Sequence, residues 1–157
     1  MAKLLGPVKY AYPKSLLRRR PIRGNIFIAM VGRHWLINYT HYNDYCQSLG
    51  QTTYVMQWGH SHVWKVGGKV FAIGGWDNGK YPGVTFKVSE IAFEMLSDTP
   101  GCRPAPYLAS RGMKWIQHYA EPGLSDDELK AYLAQSYRLV SLGLTKKKQK
   151  ELGLNQG

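Results

Sequence analysis

The pair His60-x-His62 is the arrangement with most metal-ligand character in this sequence. On a strand, residues i and i+2 share a face, so two imidazoles placed this way could chelate one ion. No third or fourth ligand lies near them in sequence, and Asp77 and His118 could join only through the fold. Two histidines at a loop edge are the simpler reading, so no metal site is expected. Nucleophilic catalysis needs a Ser, Cys or Thr placed by a base, and no G-x-S-x-G is present. Phosphate cradling needs a Gly-rich loop between strand and helix. Gly67-Gly68 and Gly74-Gly75 lack the following helix. Asp126-Asp127 belongs to a helix start and not to a carboxylate dyad. Cys46 and Cys102 form no CxxC and suit small buried hydrophobes in a reducing compartment, for which a cytoplasmic location is the default. No catalytic residue and no cofactor is therefore expected.

Binding chemistry is better represented. Lys65 and Lys69 flank the Gly-Gly turn, Lys80 sits at a second turn, and Lys87 follows in the next strand. Arg103, Arg111 and Lys114 bracket a later loop. A β-ribbon tip carrying lysines can track phosphates or enter a groove. Trp76 stands beside the polar turn 77–80, where an exposed indole near a lysine can stack on a base. Trp64 and Trp115 are expected in the core. Lysines on hairpins are equally an ordinary way to keep sheet edges soluble, and composition alone leaves both readings open.

Charge distribution narrows the question. The 157 residues carry a formal net charge of +11. Residues 1–39 hold eight basic side chains and no acid, whereas the rest carry 13 basic against 10 acidic groups, a net of +3. The basic leader admits several readings: a disordered arm, residues upstream of a start at Met30, a targeting peptide, or a nucleic-acid-binding arm. The domain expected over residues 40–157 is only mildly basic. Apolar residues make up 44% and aromatics 13% of the chain, enough for a core, with a mean hydropathy of −0.35. No apolar run approaches the ~18 residues of a membrane span.

The elements that must position these groups follow from periodicity. Thr40 is placed to cap a helix over 41–49. Strands are expected at Thr53–Gln57, His62–Val66, Lys69–Gly74, Gly83–Val88 and Trp115–Tyr119. Gly67-Gly68 supplies the φ > 0 geometry of a tight hairpin, and Asp77–Lys80 a second tip. Ser89 caps a helix over Glu90–Leu96 with Ile91, Met95 and Ala92 inward. Residues Ser97–Pro106 read as a Pro/Gly-rich loop. Ser125-Asp126-Asp127-Glu128 is a capping box, starting a helix to Leu142 with Leu129, Leu133, Tyr137 and Val140 buried and Gly143 as its stop. A lysine-bearing tail follows. The fold class is α/β of the α+β type: an antiparallel five-stranded β-meander flanked by helices.

Gln57-Trp58-Gly59 followed by Val63-Trp64-Lys65-Val66-Gly67-Gly68-Lys69-Val70-Phe71-Ala72 resembles the signature of the MmcQ/YjbR family. So does Pro100-Gly101-Cys102-Arg103-Pro104-Ala105-Pro106-Tyr107-Leu108 with Lys114-Trp115. The resemblance covers about Thr40–Leu154, and the leader has no counterpart in it. It implies a small antiparallel α/β fold similar to the CyaY-like and secretion-chaperone-like folds, and no catalysis. It also implies DNA binding through a double wing, with tips at Lys65–Lys69 and Asp77–Lys80. DNA is thus the expected partner through Lys65, Lys69, Trp76, Lys80, Lys87, Arg103, Arg111 and Lys114. A chaperone-like protein-interaction module is the alternative, and no membrane role is expected.

Overall fold

The computed structural model describes residues 39–75 and 83–157. Six strands form one antiparallel sheet: β1 (Thr52–Gln57), β2 (Ser61–Val66), β3 (Lys69–Gly74), β4 (Val84–Lys87), β5 (Cys102–Pro104) and β6 (Trp115–His118). Their spatial order is β1-β2-β3-β4-β6-β5. Helices α1 (Thr40–Ser48), α2 (Glu90–Ser97), α3 (Asp126–Leu142) and α4 (Lys146–Glu151) complete the described domain. No described helix is long and apolar enough to cross a membrane.

The α+β class and the antiparallel sheet agree with the sequence, but the strand count is six. The added strand, β5, lies inside the segment expected to be a loop. It has three residues, ends at Pro104 and pairs only with β6. Such a strand shows no alternation to read, and proline suits an edge position. The strict meander holds for β1–β4, after which the chain makes α2 and β5 before β6 returns beside β4.

Alternation assigns the two sheet faces. Trp64, Ala72, Phe86 and Ile116 lie across neighbouring strands and join one core with Leu129, Leu133 and Val140 of α3 and Tyr42 and Cys46 of α1. The opposite face carries the cross-strand row Val55–Val63–Ile73–Thr85–Gln117–Arg103. Trp64 and Trp115 are both buried, as expected. So are Cys46 and Cys102, which are not joined in a disulfide.

Helix α3 begins with the expected capping box. Ser125 Oγ accepts from Glu128 N at 3.2 Å, and Glu128 Oε2 accepts from Ser125 N at 2.8 Å. Two other helix expectations change. Thr40 is the first helical residue and not the cap; Tyr39 holds that position at φ 56° with no side-chain cap bond. In α2 Ala92 is buried as expected, but its buried partner is Leu96, while Ile91 is 62% exposed. Apolar residues fill several stripes of this short helix. Its rotation is set by β4, which continues to Val88 N bonding Lys114 O.

One hydroxyl joins α3 to the sheet. Ser136 Oγ donates to Phe71 O at 2.6 Å and accepts from Lys87 N at 2.9 Å. The cross-strand pairing of β3 with β4 stops at Ala72↔Phe86. A bulge lies just there, with Trp64 opposite Ala72 and Lys65 opposite Val70, so that Phe71 is the extra residue. Ser136 therefore closes the ladder where the two strands part. Ser136→Ala should leave the Phe71 carbonyl and the Lys87 N–H unpaired and cost about 2–6 kcal/mol, at about 1–3 kcal/mol for each orphaned group. Urea unfolding of the two proteins measures it.

Candidate nucleic-acid interface

The β2–β3 hairpin turns through Gly67 and Gly68, at φ 56° and 83°. Both values lie in the left-handed region that the tight primed turn requires. Gly67 has a second reason to be glycine: a Cβ there would lie 2.5 Å from Leu144 Cδ1. The hairpin tip thus rests directly on Leu144, itself buried. Lys69 Nζ reaches across to Gly143 O at 3.4 Å, placing a cation at the negative end of α3. Gly143 itself has φ −79°, so α3 ends without the left-handed cap that glycine often supplies.

The residues after Leu144 are not a loose tail. Thr145 Oγ1 caps α4 by accepting from Lys148 N at 3.2 Å. Gln149 is almost wholly buried; its Nε2 donates to Leu144 O at 2.8 Å and to Leu142 O at 3.3 Å, and its Oε1 accepts from Asn155 Nδ2. These bonds pin α4 to the end of α3. Lys146, Lys147, Lys148 and Lys150 are all exposed on it. Lys148 lies 3.8 Å from Glu151, an exposed pair of small energetic weight. The hairpin lysines Lys65 and Lys69 and the four α4 lysines thereby share one end of the domain. Sequence reasoning missed the second group because α4 is short and carries no hydrophobic periodicity.

The other expected contacts disperse. Arg103 Nε and Nη2 both donate to Gln117 Oε1, at 2.9 and 2.7 Å, and its guanidinium lies 4.3 Å from the centre of the Tyr119 ring. Lys114 pairs with Glu90 at 3.7 Å and lies 4.8 Å from the centre of the Phe93 ring. Both cations are engaged by the protein itself, because the pairing of β5 with β6 and the placement of α2 bring acceptors and rings that spacing could not reveal. Arg111 is exposed at the end of the 3-10 turn Ala109–Arg111. Lys87 is the last residue of β4. Trp76 and Lys80, with the whole turn 77–80, lie outside the described residues, as does the basic leader.

Among the described residues the histidines do not assemble a metal site. His62 and His118 fall in one cross-strand row, separated by Gly74 and Val84. Three strand spacings place them about 14 Å apart. Among the described residues no group of three potential ligands occurs. His62 is instead part of a local network. Trp64 Nε1 donates to Asn43 Oδ1 at 2.9 Å, which turns Asn43 Nδ2 toward His62 Nδ1 at 3.3 Å. Tyr54 Oη also lies 2.9 Å from that nitrogen. The Asn43 amide nitrogen can only donate, so in this contact Nδ1 is the acceptor.

A protein-family model described as YjbR matches residues 47–139. A crystal structure of a Deinococcus radiodurans protein containing domain DUF419 superposes with a TM-score of 0.63 at 22% identity, covering 74% of this chain and 88% of that one. A Pseudomonas syringae protein superposes with a TM-score of 0.52 at 21% identity, covering 66% and 98%. These likenesses concern the fold. No curated protein matches in sequence.

Burial holds the His62 pKa below its ordinary 6.5. A depressed imidazole pKa stabilises the folded state above the unfolded-state value and loses that contribution as pH falls from about 6.5 through the folded value. Thermal stability should fall over this acid window, and His62→Gln should flatten that part of the curve. Melting temperature against pH for both proteins checks it.

Proposed function

The chain belongs to the YjbR family, and we propose that it is a DNA-binding protein that holds duplex phosphates on one basic surface made by the β2–β3 hairpin and helix α4. The observation that carries this reading is the seating of Gly67 on Leu144. It gathers lysines 80 positions apart in sequence onto one end, with Glu151 the one carboxylate among Lys65–Lys69 and Thr145–Glu151. Four lysines within the six residues of α4 repel one another, and three of them have no carboxylate partner among the described residues. An anionic polymer relieves that repulsion and releases its own counterions. The contacts are to the backbone, so the binding is weakly sequence-dependent. No catalytic step belongs to this reading. It places the protein in the cytoplasm, where DNA is accessible and Cys46 and Cys102 stay reduced.

A second reading rests on a different edge. Tyr54 and Met56 are exposed on edge strand β1, with Trp58 exposed just beyond it. An apolar sheet edge is a template for a partner strand, which supports the chaperone-like alternative.

Duplex affinity should be measured for the full chain and for Lys146→Gln/Lys147→Gln/Lys150→Gln at several salt concentrations. Each lost phosphate contact removes about 0.9 from the log–log salt slope, so the variant should bind more weakly with a slope shallower by about two to three. These side chains are exposed, and the melting temperature should hold. An unchanged slope assigns any DNA binding to another part of the chain. No binding by either protein at low salt removes the DNA reading and leaves the edge-strand one.

A further inference from the structure

Where β3 and β4 part, a cleft of about 600 Å³ opens. Its volume falls in the range of small-molecule sites. Val70 and Ile73 of β3, Trp115 of β6 and Leu139 of α3 form its walls. Met113 and Trp58, about half exposed, stand at its mouth. The backbone holds Trp58 at φ 53°, a region that bulky residues rarely occupy.

Two features give the cleft a chemical preference. Its charged lining among the described residues consists of Lys69 and Lys87, with no carboxylate, and neither lysine is ion-paired with a described residue. Independently, Trp115 lines the cleft, and its Nε1–H is buried with no acceptor among the described residues. A buried donor left unpaired is costly. An apolar trough with ammonium groups and no carboxylate suits one class of ligand. We propose that the cleft binds a medium- or long-chain acyl carboxylate, its chain along β3 and its carboxylate held by Lys87 with Lys69. This site is separate from the α4 lysines and does not depend on the DNA reading.

Calorimetry on the full chain with decanoate, octanoate and decan-1-ol tests the proposal. Decanoate should bind saturably, one per chain. Octanoate should bind more weakly by about two- to fourfold per methylene lost, and decan-1-ol more weakly because it lacks the charge. Lys87→Gln should reduce decanoate affinity about tenfold while leaving decan-1-ol unchanged. Met113→Glu, a change at an exposed position, should repel decanoate and spare the alcohol. The triple lysine variant of α4 should bind decanoate like the unaltered chain. Absence of binding, uptake of many decanoates without saturation, equal affinity for decanoate and decan-1-ol, or indifference to both Lys87→Gln and Met113→Glu would each overturn the proposal.

Discussion

The Ser136 hydroxyl occupies the point where the domain's two layers and its two candidate surfaces meet. It satisfies Phe71 O and Lys87 N, the backbone groups orphaned where β3 and β4 separate. A helix supplying that hydroxyl must cross the sheet at this position. The crossing packs Phe71 against Tyr137, with ring centres 5.4 Å apart and the rings nearly perpendicular. It also directs the end of α3 past the β2–β3 hairpin. Leu144 then falls under Gly67, and α4 starts beside the hairpin lysines. Beyond the point of separation, Val70, Lys87 and Leu139 line the cleft. One buried polar contact thus positions both the basic end and the apolar trough.

Electrostatics in this domain depends more on engagement than on number. Arg103 is held by Gln117 and Tyr119, and Lys114 by Glu90 and Phe93. Their charges remain, but their donors and faces are already used. The α4 lysines are exposed on a helix anchored from beneath by buried Gln149. Anchoring matters because a lysine on an ordered backbone loses less freedom on meeting a phosphate than one on a flexible segment.

The histidine network shows how polar groups can be present without forming a reactive site. Asn43 is oriented by Trp64, and its amide donor then faces His62 Nδ1. The residues that suggested chelation instead tie α1 to β2. Tyr42 adds to the same junction by donating to His62 O at 2.9 Å.

Much of the fold was legible because local chemistry agrees with the global arrangement. Gly67-Gly68 demanded a tight turn, Ser125–Glu128 a helix start, and alternation a sheet with Trp64 and Trp115 inside. Local rules failed where the signal was short or ambiguous: three-residue β5, α2 with apolar side chains on several stripes, and α4 with none. The candidate site was less legible for a different reason. Sequence determined that lysines stand at a hairpin tip and that others crowd near the C-terminus. Only tertiary structure decided that Leu144 brings these groups together, that Arg103 and Lys114 are occupied, and that Lys87 belongs to a cleft. Residue type and spacing set what a side chain can do, while contacts between elements distant in the chain set which groups it meets.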